Sequence, residues 1–196
     1  MSNSEWLPRT YASQTRAIAA WTSRRCREFG SAYELRRAVA RGFDYLERTQ
    51  RRDGAWLPLW FGNQHAPDDE NPTFGTARVL AAYAALHLTD TPPARRGVDW
   101  LLRAQNGDGS WGGAPGIAGS VEETALAVDA LMQVRGAIDK ASAAGIAWLV
   151  DAVQAGCLLK PEPIGFYFAK LWYYERLYPI IFTTAALGRA RLLSVR

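Results

Sequence analysis

Residues 41–56 read RGFDYLERTQRRDGAW, and residues 96–111 read RGVDWLLRAQNGDGSW. Aligned without a gap, the two stretches share Arg, Gly, Asp, Leu, Arg, Gln, Asp, Gly and Trp at the same offsets. Chance does not produce that spacing, so the chain is a repeat protein, built from supersecondary units that stack on one another. A worn third copy begins at Gly145 and keeps Trp148, Leu149 and Gln154, without the closing Asp-Gly-x-Trp.

Each copy has one physical layout. A helix ends near Gln50 or Gln105, and Asp53-Gly54 or Asp108-Gly109 then supplies a turn whose glycine can take positive φ. Trp56 and Trp111 follow the turn, where the ring can pack back across the helix end while the Gln amide satisfies backbone groups left there. These two tryptophans are therefore structural, with Trp148 a further fastener in the third copy. After each turn comes a Gly/Pro-rich loop and an Ala-rich helix, 76–88 and 121–134, whose small faces allow close helix–helix approach. Helices are expected near 10–27, 32–49, 73–88, 94–104, 120–135, 140–154, 166–176 and 179–193. No strand-like alternation persists, so the sheet content is expected to be near zero. Paired helices recurring every ~50 residues define an all-α fold, an α/α toroid present as a partial ring of helical hairpins. Residues 1–31 form a separate, poorly matched helical segment, and residues 32–196 the repeat domain.

With 196 residues, 48% apolar and 21% charged, the chain is one domain or a piece of a larger one, and wholesale disorder is excluded. No apolar run approaches the ~20 residues that span a bilayer. The net charge of +4 comes from arginines between Arg16 and Arg52 and in the tail. No nucleic-acid readout module accompanies them, so solvated helix faces explain them better, and a weak pull towards anionic lipid stays open. Cys26 and Cys157 give neither a disulfide framework nor zinc spacing, and His65 and His87 have no spaced partner, so no zinc site is expected. The start of the chain shows no secretory signal, and the reading is cytoplasmic. The compositional oddity is aromatic: 8 Trp, 8 Tyr and 7 Phe.

Gln50-x-x-Asp53-Gly54-x-Trp56 and Gln105-x-x-Asp108-Gly109-x-Trp111 resemble the QW repeat of triterpene cyclases, squalene–hopene cyclases above all. Trp60-Phe61, the stretch NPTFGT (71–76) and the terminal GFYFAKLWYYERLYP (165–179) through Ala186-Leu187-Gly188 match the carboxyl-terminal part of that family in order and spacing. The resemblance covers roughly residues 32–193. It implies a cofactor-free, protonation-initiated cyclisation of squalene in an apolar cavity, in hopanoid or triterpenoid synthesis. Ring faces suit that chemistry, since each stabilises a cation by roughly 0.5–2 kcal/mol without trapping it. By the same resemblance Trp60 lines the cavity, and Phe74 takes a position usually held by Tyr, without its hydroxyl. Phe166 and Tyr174 belong to an aromatic ladder in which Tyr167 and Trp172 are possible substitutes. Cavity lining and plain core packing stay open for residues 166–174. The isoprenoid substrate, and peripheral contact with the membrane that holds it, are expected partners; nucleic acid is not.

The family's acid, an Asp in Asp-x-Asp-Asp, has no counterpart here, since APDD (66–69) lacks the leading Asp. No His that polarises such an acid stands between Thr15 and Trp21. The chain is therefore expected to be inactive alone, with an acid-bearing upstream polypeptide as its partner. Asp68-Asp69-Glu70 reads as a loop feeding a helix start rather than a metal–diphosphate site, and Glu122 and Glu123 as first-turn carboxylates behind Ser120. Two other readings compete: a non-catalytic α/α module that binds an isoprenoid or a protein, and a protein prenyltransferase β-like subunit, which needs zinc ligands.

Overall fold

The computed structural model describes residues 32–166 and 170–195. The helix expected at 10–27, like the whole segment 1–31, lies outside the described residues. Among the described residues six α-helices follow one another: α1 (Ala32–Thr49), α2 (Pro72–Ala85), α3 (Pro92–Ala104), α4 (Val121–Arg135), α5 (Lys140–Gln154) and α6 (Tyr178–Ser194). Local chemistry sets their starts. Asn71 Oδ1 accepts the Phe74 N–H at 3.0 Å ahead of Pro72, and Ser120 Oγ accepts the Glu123 N–H at 3.1 Å. Asp139 and Ser142 cap each other reciprocally at 2.8 and 2.9 Å. Caps of this kind contribute about 1 kcal/mol each. Gly136, at φ 65°, closes α4 in the left-handed conformation that glycine adopts most readily.

The helices form two layers. In the inner layer α2, α4 and α6 lie side by side, while α3 and α5 pack behind them. Buried Ala77, Ala125, Ala127, Ala130 and Ala186 keep the inner helices close. On α1, Phe43 meets Tyr83 of α2 edge-on, with ring centroids 4.6 Å apart.

Two joints of the same design lock the layers together. At the first, Trp56 Nε1 donates to the Leu46 carbonyl at 2.6 Å, and the Trp56 N–H donates to Thr76 Oγ1 at 3.0 Å. At the second, Trp111 donates to the Leu101 carbonyl at 2.8 Å and to Thr124 Oγ1 at 2.9 Å. Each Gln amide bridges its own turn to the first turn of the next outer helix. Gln50 donates to Gly54 O and Pro93 O at 2.8 and 2.9 Å, and Gln105 to Gly109 O and Ala141 O, both at 2.9 Å. Gly54 (φ 101°) and Gly109 (φ 93°) press against the backbone of that same next helix, at Arg96 and Ala144. The ring completes the contact: a Cβ on Gly97 would stand 2.6 Å from Trp56 Cζ3, and one on Gly145 2.8 Å from Trp111 Cζ3. Trp56 and Trp111 are buried, so each joint removes a full indole from water. Trp148 is a different part. It occupies the position of Trp100 in the repeat, and its Nε1 donates to Asp108 Oδ2 at 3.2 Å, against the preceding turn.

Among the described residues, the all-helical expectation fails at one place. Of the helix expected at 166–176, Phe166 and Leu171–Tyr174 are strand instead. Strands β2 (Pro163–Phe166) and β3 (Leu171–Tyr174) pair antiparallel, and β1 (Phe61–Gly62) adds to β2, giving a three-stranded sheet in the order β1-β2-β3. Gly165 explains part of the choice, because a Cβ there would collide with the Leu171 carbonyl of the neighbouring strand. The rest is non-local: Phe61 pairs with Phe166, and Gly62 with Gly165.

Candidate functional site

The sheet lies beside the starts of the inner helices, and two chemistries meet there. The first is aromatic. Phe61 of β1 stacks on Phe74 in the first turn of α2, centroids 4.8 Å apart and planes tilted by 37°. Phe74 is buried, whereas Trp60, just ahead of β1, is 45% exposed. On β3, Trp172 is half-buried opposite Gly165, and Tyr174 is exposed opposite Pro163. Phe166 pairs with both Phe61 and Leu171 through its backbone. Tyr167 lies outside the described residues. The sheet thus brings residues 61–62 together with residues 163–166 and 171–174, although about a hundred positions separate them in sequence.

The second chemistry is acidic and buried. Glu123, in the first turn of α4, accepts from Asn71 Nδ2 at 2.7 Å, from Asn63 Nδ2 at 3.4 Å and from Ser120 Oγ. Asn63 reaches this position because Gly113 has no side chain; a Cβ there would stand 2.6 Å from it. Next to it, Glu122 is 6% exposed. Its Oε1 accepts the Glu162 N–H at 3.0 Å, and its Oε2 has no hydrogen-bond partner among the described residues. Burial, reinforced by the neighbouring Glu123 and Glu162, pushes the Glu122 carboxyl up to about 7. Glu162 is also raised, by burial first and then by Glu123, while His65, 3.8 Å from its Oε2, works in the opposite direction.

Ion pairs clamp this rim. Lys170, in the β2–β3 turn, holds Asp69 at 2.6 Å, and Arg51 holds Glu70 at 2.9 Å. The run Asp68-Asp69-Glu70 is thus a short 3-10 turn and loop in front of α2, with two of its acids neutralised. Sequence reasoning placed Glu122 and Glu123 in a capping pattern, and Ser120 does cap α4. It missed the burial of Glu122 beneath the segment leading into β2, and with it Glu162, Asn63 and Phe61 as parts of the site. Only Ser120-x-x-Glu123 carried a local signal; the contact between Glu122 and Glu162 spans 40 positions.

An α/α repeat carrying paired Gln–Trp turns, with aromatic residues gathered at one rim, is the architecture of terpene cyclases. The family model of the squalene–hopene cyclase C-terminal domain matches residues 13–192. This chain belongs to that family. It is similar to a copalyl diphosphate synthase of Streptomyces cyslabdanicus, 38% identical over 122 residues, covering 62% of this chain and 20% of that protein. It is similar also to a squalene–hopene cyclase of Bradyrhizobium diazoefficiens, 30% identical over 135 residues, covering 63% and 19%. Among solved structures, the ent-copalyl diphosphate synthase from Streptomyces platensis matches with a TM-score of 0.64 and 25% identity, covering 90% of this chain and 32% of that one. The chain thus spans about a fifth of the two sequence relatives and a third of the solved structure.

Proposed function

We propose that the chain supplies part of the aromatic wall of an isoprenoid cavity in a squalene–hopene-type cyclase, with residues 32–196 as the repeat unit that carries it. The observation that carries this reading is the β1–β2–β3 sheet, which sets Trp172 and Tyr174 on one face of β3 and seats Phe61, on the opposite face, against Phe74. Trp60, Trp172 and Tyr174 are the rings that face a ligand, and Phe61 and Phe74 are the packing behind them. By the family resemblance Tyr167, outside the described residues, is a further candidate for the wall. An apolar substrate of the squalene kind suits the rim, because Arg51 and Lys170, the cations beside it, are already paired with Glu70 and Asp69. Those two ion pairs occupy Arg51 and Lys170, and a diphosphate, the group named in the copalyl relatives, would have to displace them.

Cyclisation needs an acid strong enough to protonate an alkene. Glu122 does not replace the missing Asp-x-Asp-Asp, since a carboxyl that keeps its proton to about pH 7 is a weaker acid than an ordinary one. Chemistry therefore needs an acid-bearing partner polypeptide, and hopanoid synthesis is the setting in which such a pair would work. No described helix is long and apolar enough to cross a membrane, so access to a lipid-dissolved substrate would be peripheral. Incubation with squalene, alone and with an acid-bearing cyclase segment, tests the proposal. Saturable quenching of tryptophan fluorescence by a squalene analogue, with cyclic product only in the mixture, supports it. Product from the isolated chain overturns the claim that it is inactive alone. Absence of saturable binding overturns the cavity.

A further inference from the structure

We infer that the exposed face of α1 around Gly42 is an open repeat joint, which docks a Gln-x-x-Asp-Gly-x-Trp turn from another α/α-repeat polypeptide. The joint occurs twice inside the molecule, and both times the receiving half sits at one place on an outer helix. Gly97 of α3 takes the ring of Trp56, and Gly145 of α5 takes the ring of Trp111. Four residues earlier, Pro93 and Ala141 offer the carbonyls that accept from Gln50 and Gln105. One residue earlier, Arg96 and Ala144 present the backbone against which the turn glycine lies.

The repeat alignment sets Gly42 of α1 on Gly97, Arg41 on Arg96 and Ala38 on Pro93. The receiving half is thus present in α1, on one face of the helix at i, i+3 and i+4. Among the described residues it is empty: none lies within 4 Å of where a Cβ on Gly42 would stand. Gly97 and Gly145 are buried, whereas Ala38, Arg41 and Gly42 are all exposed. Tyr45, aligned with the 5%-exposed Trp100, is 56% exposed. A glycine within a helix costs about 1 kcal/mol relative to alanine, and at the two filled joints that cost is offset by a seated indole.

The occupant follows from the same geometry. A second copy of this chain has no free turn to offer, because Trp56 and Trp111 are both seated, and the stretch after Gln154 lacks Asp-Gly-x-Trp. Residues 1–31 hold Trp6 and Trp21 but no Gln-x-x-Asp-Gly-x-Trp. The fitting partner is a polypeptide whose own last repeat ends in that turn. The joint stands whatever the cavity binds, so its test does not involve squalene.

The probe is a fluorescein-labelled peptide of sequence LLRAQNGDGSWG, copied from residues 101–112, titrated to millimolar concentration against the full chain by fluorescence anisotropy. A control peptide carries Ala in place of Trp, and the chain variants are Gly42→Leu and Gly42→Ala. We expect saturable binding that weakens at least about tenfold when the peptide tryptophan is removed, as for a buried aromatic anchor. Gly42→Leu should abolish binding and Gly42→Ala weaken it, while neither variant lowers the chain's melting temperature. Equal binding of both peptides, no binding at millimolar peptide, or binding unaffected by Gly42→Leu overturns the proposal. So does a lower melting temperature for both variants, which would mean that the chain's own residues 1–31 already fill the slot.

Discussion

The two Gln–Trp joints and the aromatic rim are built on opposite plans. The joints are copies: the same residue types make the same bonds at similar distances, with Nε1 to the helix carbonyl at 2.6 and 2.8 Å and the tryptophan backbone N–H to a threonine hydroxyl at 3.0 and 2.9 Å. The rim is built once, from segments around residues 61–74, 120–123, 162–166 and 170–174 that share no pattern. It also keeps features that a stability optimum would remove, including a buried carboxyl oxygen without a partner among the described residues and rings left in solvent. Repetition marks the scaffold, and departure from it marks the place where the family's chemistry is expected.

If that division is right, substitutions in a joint unfold the chain, and substitutions in the rim change what it binds. The largest loss is expected for Trp111→Ala. Deleting a fully buried indole and leaving the Leu101 carbonyl unpaired should cost about 3–5 kcal/mol in urea unfolding. A loss below about 1 kcal/mol would mean that the joint is not what holds the layers. Gly109→Ala comes next, at roughly 2–3 kcal/mol, because it meets both a positive φ and the Ala144 backbone 2.9 Å away.

Glu122 tests the rim from the stability side. Its folded pKa is raised to about 7, so the folded state keeps a proton that the unfolded chain has released. Stability from this group is complete below the unfolded value, falls as pH rises towards 7, and is lost above it. Glu122→Gln, which cannot ionise, should remove that slope and be more stable than the parent at pH 8, by on the order of 2 kcal/mol. Parallel pH–stability curves for the two proteins would refute the buried carboxyl. The smallest effect on folding is expected at Trp60. The ring is 45% exposed, and Trp60→Ala should move stability by about 0.5 kcal/mol or less, while weakening the fluorescence response to a squalene analogue.

The same contrast explains what was legible in the sequence. Gln50, Asp53, Gly54 and Trp56 act within seven positions of one another, so the second copy in residues 105–111 exposed the scaffold directly. The helix starts were readable for a similar reason, since Asn71, Ser120 and Asp139 cap within three residues. The hairpin was not. Residues 165–178 carry aromatics at consecutive positions in the sequence, which hides any alternation, and the turn uses Lys170 at φ 50° where glycine or asparagine would have signalled it. Its strand character depends on pairing with Phe61 and Gly62, which no local window contains. The burial of Glu122 beneath Glu162 is non-local in the same way. Local chemistry was readable, and long-range pairing was not.

The rim's assignment as a ligand-binding wall is tested most directly on Trp172, which is half-buried on β3, away from both joints. The measurement is binding of a non-cyclisable squalene analogue to the parent chain and to Trp172→Ala, followed by displacement of a fluorescent lipid probe and paired with thermal melts of both proteins. The account predicts saturable binding by the parent and affinity at least about tenfold weaker in the variant, with the melting temperature little changed. Equal affinity in the two proteins, or no saturable binding by the parent, would contradict it.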